Sequence, residues 1–167
     1  VEAVTTIWNA KEGLPPVADA KTVERTAELV GGQEMELRRE GAGTIVYFAA
    51  KLESADPVAG HLAGRKVLLK IFWDGEEQPS VESPLGIFFG SEKPYRSLPM
   101  GMTTEGGFSH WRMPFRKGAR LVILNEGALP AKVTVRLSTV EGAPPETAGT
   151  FHAKWRRERE CKALDYP

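Results

Sequence analysis

The sequence predicts an all-β protein, a single jelly roll or related β-sandwich, in a chain of 167 residues. Two observations indicate this class. Short runs rich in β-branched and aromatic residues alternate with glycine- and proline-containing turns, and the periodicity of amphipathic helices is scarce. Several short strands at such spacing are typical of two packed sheets. The length is sufficient for one hydrophobic core without a disulfide or a structural metal.

The first thirty residues differ from the rest, so we expect an N-terminal extension, residues 1–30, followed by a jelly-roll domain, residues 31–167. Residues 1–8 contain several β-branched side chains and predict an extended arm. Residues 19–30 predict one short helix, which would stop at the Gly-Gly pair that follows.

Four runs predict the main strands of the sandwich. Residues 44–52 and 66–73 are largely apolar and predict buried strands, whereas residues 131–138 alternate and predict a half-exposed strand. Residues 120–125 precede the alternating run, and the connection of residues 126–130 is short enough for a hairpin. We therefore expect the strands at residues 120–125 and 131–138 to pair with each other.

A final strand is predicted at residues 150–156, where it closes the domain. Its alternation separates an apolar face from a polar one. The apolar face consists of Phe151, Ala153 and Trp155, and the polar face of His152, Lys154 and Arg156.

Charge and composition exclude several classes of function. Lys plus Arg and Asp plus Glu number 22 each, so the chain lacks the basic excess that binds nucleic acid or anionic membranes. No apolar run approaches the roughly 20 residues of a membrane span. Cys161 has no second cysteine to pair with, and no two histidines stand at ligand spacing. We therefore predict no metal and no cofactor.

The segment from Phe72 to Gly90 concentrates four carboxylates and three glycines in nineteen residues, directly after a predicted strand. Loops held by a rigid sheet often carry binding sites. Two interpretations stay open: a turn-forming aspartate with solvated glutamates, or a site that contacts sugar. The candidate sugar-contacting residues are Trp73, Asp74, Glu76, Glu82 and, further along the chain, Trp111.

No catalytic residue is assigned from this segment. Glycoside hydrolysis commonly needs two carboxyl groups about 5 Å apart, or about 6.5 to 9.5 Å apart. In an extended segment Glu76 and Glu82 would lie about 20 Å apart, at roughly 3.3 Å per residue. They could act together only if the loop folds back.

The chain resembles glycoside hydrolase family 172, formerly a domain of unknown function, in an ordered set of motifs. Within the acidic segment these are Trp73 to Glu76, Pro79 to Glu82, Pro84 to Gly86 and Phe88 to Gly90. Outside it they are Glu40 to Ile45, Met113 to Phe115 and Phe151 to Arg156. The resemblance spans roughly residues 31–166.

This resemblance implies a jelly roll related to enzymes that cleave α-fructofuranosyl or arabinofuranosyl linkages and that work as oligomers, often trimers. The family's catalytic carboxylates lie in a second jelly roll, within Glu-Gly-Asp-Glu and Gly-Thr-Glu-Asp-Tyr segments. Neither string occurs in this sequence, and Ile87 stands where the family commonly has Asp. We therefore expect the first jelly roll alone.

We predict a non-catalytic or incomplete jelly-roll protein that acts as a self-assembling structural or carbohydrate-binding subunit, in a secreted, periplasmic or cell-surface location. The expected partners are further copies of the chain, in a trimer or a filament, and carbohydrate. The candidate assembly arm contains Val1, Val4, Ile7 and Trp8. The alternative is a furanoside hydrolase, as a fragment of a longer enzyme or with an active site shared between subunits.

Overall fold

A computed structural model describes residues 17–53, 64–91 and 93–156. These residues form two β-sheets that pack face to face, which confirms the predicted all-β sandwich. The candidate arm residues Val1, Val4, Ile7 and Trp8 lie outside the described residues, as does Cys161. No helix in the described ranges has the length and hydropathy required to cross a bilayer.

Twelve strands and a four-residue helix have described bounds, and residues 64–66 are also helical. The strands of the first half are β1 (Lys21–Leu29), β2 (Glu34–Glu40), β3 (Gly43–Glu53), β4 (Val67–Trp73), β5 (Val81–Pro84) and β6 (Tyr95–Arg96), with helix α1 (Leu85–Phe88) after β5. The second half contains β7 (Met100–Thr103), β8 (Gly106–Ser109), β9 (Met113–Phe115), β10 (Gly118–Asn125), β11 (Ala131–Glu141) and β12 (Ala153–Lys154).

The strands divide between a seven-stranded and a five-stranded sheet. The larger sheet has the order β1-β11-β3-β8-β7-β6, and β9 pairs with one end of β3. The smaller sheet has the order β12-β5-β4-β10-β2. Neighbouring strands are antiparallel except β12, which runs parallel to β5.

The core lies between the sheets and is built from alternate residues of their central strands. Val67, Leu69, Ile71 and Trp73 of β4 are fully buried, and so are Val133, Val135 and Leu137 of β11. Each such side chain contributes about 1.5–3 kcal/mol to folding. The alternation predicted for residues 131–138 is thus confirmed, because one face of β11 points into the core and the other to solvent.

The predicted helix at residues 19–30 is wrong, because this segment contains strand β1. β1 pairs with β11 along all of its nine residues. The Thr22 and Ser138 hydroxyls lie 2.8 Å apart, and the Thr26 and Thr134 hydroxyls 2.9 Å apart. A long ladder to a central strand outweighs the weak helix preference of the Glu and Ala residues in this segment. The sandwich therefore includes residues 21–29, which the sequence placed in the N-terminal extension.

The predicted hairpin of residues 120–125 and 131–138 is also wrong, although both strands exist. β10 belongs to the five-stranded sheet and β11 to the seven-stranded sheet, so residues 126–130 cross from one sheet to the other. Asn125, only 1% exposed, organises the crossing. Its Nδ2 donates to Leu29 O at 2.8 Å and to Leu129 O at 2.9 Å, and its Oδ1 accepts from Gly127 N at 2.8 Å.

The predicted closing strand is shorter than expected. Only Ala153–Lys154 pair with β5, although Phe151 and Ala153 do pack against the core as the alternation predicts. Phe151 O accepts a hydrogen bond from Trp73 Nε1 at 2.7 Å, which holds the start of this segment against β4. Trp155, expected on the same apolar face, is 42% exposed.

Packing of the β7–β8 hairpin leaves no room for a side chain at Gly107. A Cβ added there would overlap the ring of Phe89, which is buried between the sheets. The same addition at Gly149 meets nothing within 4 Å.

We expect Gly107→Ala to lower the free energy of unfolding by about 1–3 kcal/mol, because the Phe89 ring or the β8 backbone must move to accommodate the methyl group. Urea denaturation followed by tryptophan fluorescence measures the change. Gly149→Ala serves as the matched control, and its midpoint should stay close to that of the parent chain. Equal midpoints for the two variants would contradict this packing.

Candidate functional site

A cleft of about 370 Å³ lies where β4 and β2 end and β10 begins. Charged side chains of both signs line this β2–β4–β10 cleft. The cations are Arg38, Arg39, Lys117 and Arg120, and the carboxylates are Glu40, Asp74 and Glu76. The cleft therefore contains two of the five sugar-contacting residues predicted from the sequence.

Asp74 forms the turn that ends β4 and ties it to the turn before β10. Its φ of 54° and the φ of 88° at Gly75 turn the chain sharply. Asp74 Oδ1 accepts hydrogen bonds from the backbone N–H groups of Arg116 at 2.7 Å, Lys117 at 2.6 Å and Gly118 at 3.2 Å. One carboxylate oxygen thus satisfies three consecutive amides, which is the role of a turn-forming aspartate.

These contacts also determine the charge of Asp74. Partial burial raises the pKa of the carboxyl group, but the three backbone N–H donors together outweigh that effect. The pKa of Asp74 therefore lies below its ordinary value, and the group is a carboxylate at neutral pH. A general acid needs the opposite change.

Glu76 closes the same turn from its other side. Its Oε2 accepts hydrogen bonds from Ser80 Oγ at 2.6 Å and from Trp73 N at 3.4 Å. Ser80 is buried, so the glutamate supplies an acceptor that the hydroxyl would otherwise lack. The side chain of Glu76 is therefore anchored at the cleft.

Glu82 does not line the cleft. It lies on the outer face of the five-stranded sheet between the lysines of its neighbouring strands, opposite Lys70 on β4 and Lys154 on β12. Its carboxylate oxygens are 3.5 Å from Lys70 Nζ and 3.4 Å from Lys154 Nζ. The structure thus separates Glu82 from Asp74 and Glu76 by placing it within a row of surface ion pairs.

The two tryptophans predicted to contact sugar have opposite environments. Trp73 is 0% exposed, and its ring lies parallel to that of Phe115, with centroids 6.4 Å apart. Because no face of this ring reaches the surface, the prediction of a sugar contact is wrong for Trp73. Trp111 is 44% exposed and its ring centroid lies 6.3 Å from that of Phe151, so a ligand can reach it.

Sequence reasoning missed the four cations of the cleft. Arg38 and Arg120 face each other across β2 and β10, and both pair with Glu36, which is 3.5 Å from Arg120 Nη1. Hydrogen bonding from Arg38 lowers the pKa of Glu36. The guanidinium of Arg120 also stacks over the Phe72 ring at 3.7 Å. Only the strand register brings these residues together, because nothing in their sequence spacing relates them.

Candidate metal ligands are not clustered in the part of the chain that the structure describes. Within residues 17–53, 64–91 and 93–156, no three His, Cys, Asp or Glu side chains are placed to hold an ion. Of the histidines, His110 lies beside Tyr47 with ring centroids 5.0 Å apart, and burial lowers its pKa.

We expect Asp74→Ala to lower the free energy of unfolding by about 1–3 kcal/mol at pH 7, because three N–H groups, of which that of Gly118 is partly buried, lose their charged acceptor. Asp74→Asn is the matched control. It keeps an acceptor oxygen and tolerates the positive φ, so it should lose less stability. Chemical denaturation of the two variants and the parent chain measures the difference.

The same contact predicts a pH dependence. Since the folded-state pKa of Asp74 is lower than the unfolded one, its stabilisation is complete above about pH 3.9 and is lost as the pH falls through the folded-state value. The stability difference between the parent chain and Asp74→Ala should therefore shrink in acid. A difference that does not shrink between about pH 4 and about pH 2 would contradict the assignment.

Comparisons with known proteins agree with the motifs. A family model described as GH172 domain-like matches residues 19–135, which is more than half of the chain. No curated protein matches the sequence. Among solved structures, the crystal structure of the STIV MCP is similar over 74% of this chain, with 14% identity and a TM-score of 0.38. The matched region is 48% of that chain, and a TM-score of this size establishes nothing further. The family match confirms the resemblance, and the chain belongs to the GH172 domain-like family.

Proposed function

We propose that this chain is a non-hydrolytic subunit that binds carbohydrate in the β2–β4–β10 cleft. The observation that carries the proposal is the composition of the cleft, where guanidinium and ammonium donors stand beside carboxylate acceptors. Sugar hydroxyls both donate and accept hydrogen bonds, so a site with both kinds of group is complementary to them. The cleft volume of about 370 Å³ lies within the range of small-molecule sites and suits one or two sugar rings.

The environment of each carboxylate argues against hydrolysis. Asp74 is held ionised by three backbone amides, and Glu76 accepts a hydrogen bond from Ser80. Glu82 lies outside the cleft between two lysines. A glycosidase needs one carboxyl group that stays protonated and a second one beside it. Asp74, which is held in its ionised form, does not meet the first of these requirements.

Trp111 is a second candidate contact. Its exposed ring lies beside Phe151, which is itself packed against the core. An exposed indole supported from below can stack on the apolar face of a sugar ring. We propose that Trp111 adds such a contact for a longer oligosaccharide.

Self-assembly is the second candidate function, and the observation that favours it is the open edge of β1. This strand pairs with β11 on one side, and no described strand pairs with its other side. Such an edge is a template for strand addition. We propose that a neighbouring copy supplies the added strand, in a trimer or a filament.

The charges of β1 determine which strand can be added. Consider β1 paired antiparallel with the β1 strand of a second copy about a twofold axis. Residues directly opposite each other face the same side of the sheet, so the axis must lie at a residue position and not between two positions. A centre at Glu24 or Arg25 sets that residue against its own copy, and a centre at Thr26 sets Glu24 against Glu28. Like charges directly opposite each other destabilise a sheet. A different segment, such as the arm with Val1, Val4, Ile7 and Trp8, is therefore the better donor.

We expect the purified chain to bind arabinan or fructan oligosaccharides without releasing reducing sugar. Glu76→Gln should weaken binding about tenfold, because a hydrogen bond to a charged group contributes about 1.5–3 kcal/mol. Titration calorimetry measures affinity, and a reducing-sugar assay measures hydrolysis. Glu77→Gln, an exposed neighbour that does not line the cleft, is the control. Hydrolysis that Glu82→Gln abolishes would support the enzyme alternative instead.

We also expect a solution mass of several chains, which light scattering measures directly. Deletion of residues 1–8 should return the mass to that of one chain, because the donor strand is removed. Unchanged oligomers after the deletion would rule out the arm as donor.

A further inference from the structure

The donors and acceptors of the cleft are not equally satisfied. Asp74 Oδ1 has three backbone donors and Glu76 Oε2 has the Ser80 hydroxyl. By contrast, Lys117 donates only its backbone N–H, to Asp74, and its ammonium group has no partner among the described residues. Arg39 Nη2 is buried and is likewise without a hydrogen-bond partner in the described ranges.

The other two guanidinium groups share one acceptor. Arg38 and Arg120 both pair with Glu36, so a single carboxylate serves two cations. Arg120 is further held over the Phe72 ring. These contacts keep the two cations at the cleft while leaving part of their donor capacity unused, since each guanidinium carries five N–H groups.

We propose that the sugar bound in the cleft carries an anionic group, a carboxylate or a sulfate ester, which pairs with Lys117 and the neighbouring guanidinium groups. This inference rests on the proposed carbohydrate function and adds the substrate class. The unused groups of the cleft are cationic donors, and an anionic oxygen is the acceptor that complements them best.

The charges of the cleft carboxylates do not oppose this ligand equally. Asp74 faces three amides and Glu76 faces a buried hydroxyl, so both direct an oxygen into the protein. Glu40 is exposed at the end of β2. Binding of an anion to this charged cleft should weaken as salt is added, because salt screens the attraction between charges. The Debye length falls from about 30 Å at 0.01 M to about 8 Å at 0.15 M.

A matched set of three oligosaccharides tests the proposal: a galacturonic acid trisaccharide, its carboxyl-reduced neutral form and a sulfated version of that neutral form. Titration calorimetry with the full chain at 0.01 M and 0.15 M salt measures each affinity. We expect the affinity for each anionic sugar to be at least about tenfold higher than the affinity for the neutral one. This advantage should shrink at the higher salt concentration. The two anionic arms identify which group the cleft accepts.

Lys117→Gln should lower the affinity for the anionic trisaccharides by a much larger factor than the affinity for the neutral trisaccharide, because it removes a charge as well as hydrogen-bond donors. Lys132→Gln is the control. It removes the same charge, but Lys132 lies on the other sheet, where it pairs with Glu53. Arg38→Gln is a second cleft variant with an exposed side chain, and thermal melts establish that each variant is folded.

The outcomes separate this proposal from the broader one. Equal binding of neutral and anionic trisaccharides, or an anionic advantage that survives both Lys117→Gln and Arg38→Gln, overturns the anionic assignment and leaves carbohydrate binding in place. Absence of binding by all three sugars and by neutral arabinan and fructan oligosaccharides overturns both. An advantage lost in the cleft variants and kept in Lys132→Gln supports the assignment.

Discussion

One carboxylate oxygen holds together the end of the sandwich where the cleft lies. Asp74 Oδ1 gathers the amides of residues 116–118, and Asp74 N donates to Gly118 O at 2.8 Å. The end of β4 is thereby joined to the beginning of β10, its neighbour in the five-stranded sheet. This contact also positions Lys117 and Glu76, because Lys117 N is one of the three donors and Glu76 lies two residues after Asp74. Loss of the carboxylate would therefore disturb stability and the candidate site together.

The acidic segment illustrates how a set of residues typical of catalysis can serve structure. Asp74 forms a turn, Glu76 satisfies a buried hydroxyl, and Glu82 completes a row of surface ion pairs. Trp73 fills the core and fastens the chain at Phe151. These contacts lower the pKa of Asp74 and occupy Glu76 Oε2 and both oxygens of Glu82. The cationic side chains of the cleft and its remaining carboxylate oxygens form the basis of the proposed binding function.

Asn125 is a second residue on which the fold depends, because it lies where the chain crosses between the two sheets. A buried amide that makes all three of its hydrogen bonds to backbone groups directs the chain from one sheet to the other. Without it, residues 126–130 are short enough to form the in-plane hairpin that their length predicts. The family match over residues 19–135 includes β1, this crossing and the beginning of β11, consistent with one fold unit to which β1 belongs.

The sequence by itself determined the all-β class, the cores of β3, β4, β10 and β11, and the family, because strand periodicity and ordered motifs are local properties of the chain. It also contained the turn at Asp74 and Gly75. Only the tertiary structure decided that residues 21–29 form a strand, that β10 and β11 lie in different sheets, and that Trp73 is buried. It alone brought Arg38, Lys117 and Arg120 beside Asp74, since antiparallel register places Arg120 opposite Arg38, from a distant part of the chain. Pairing between distant strands depends on the packing of both sheets at once, and no local pattern encodes it.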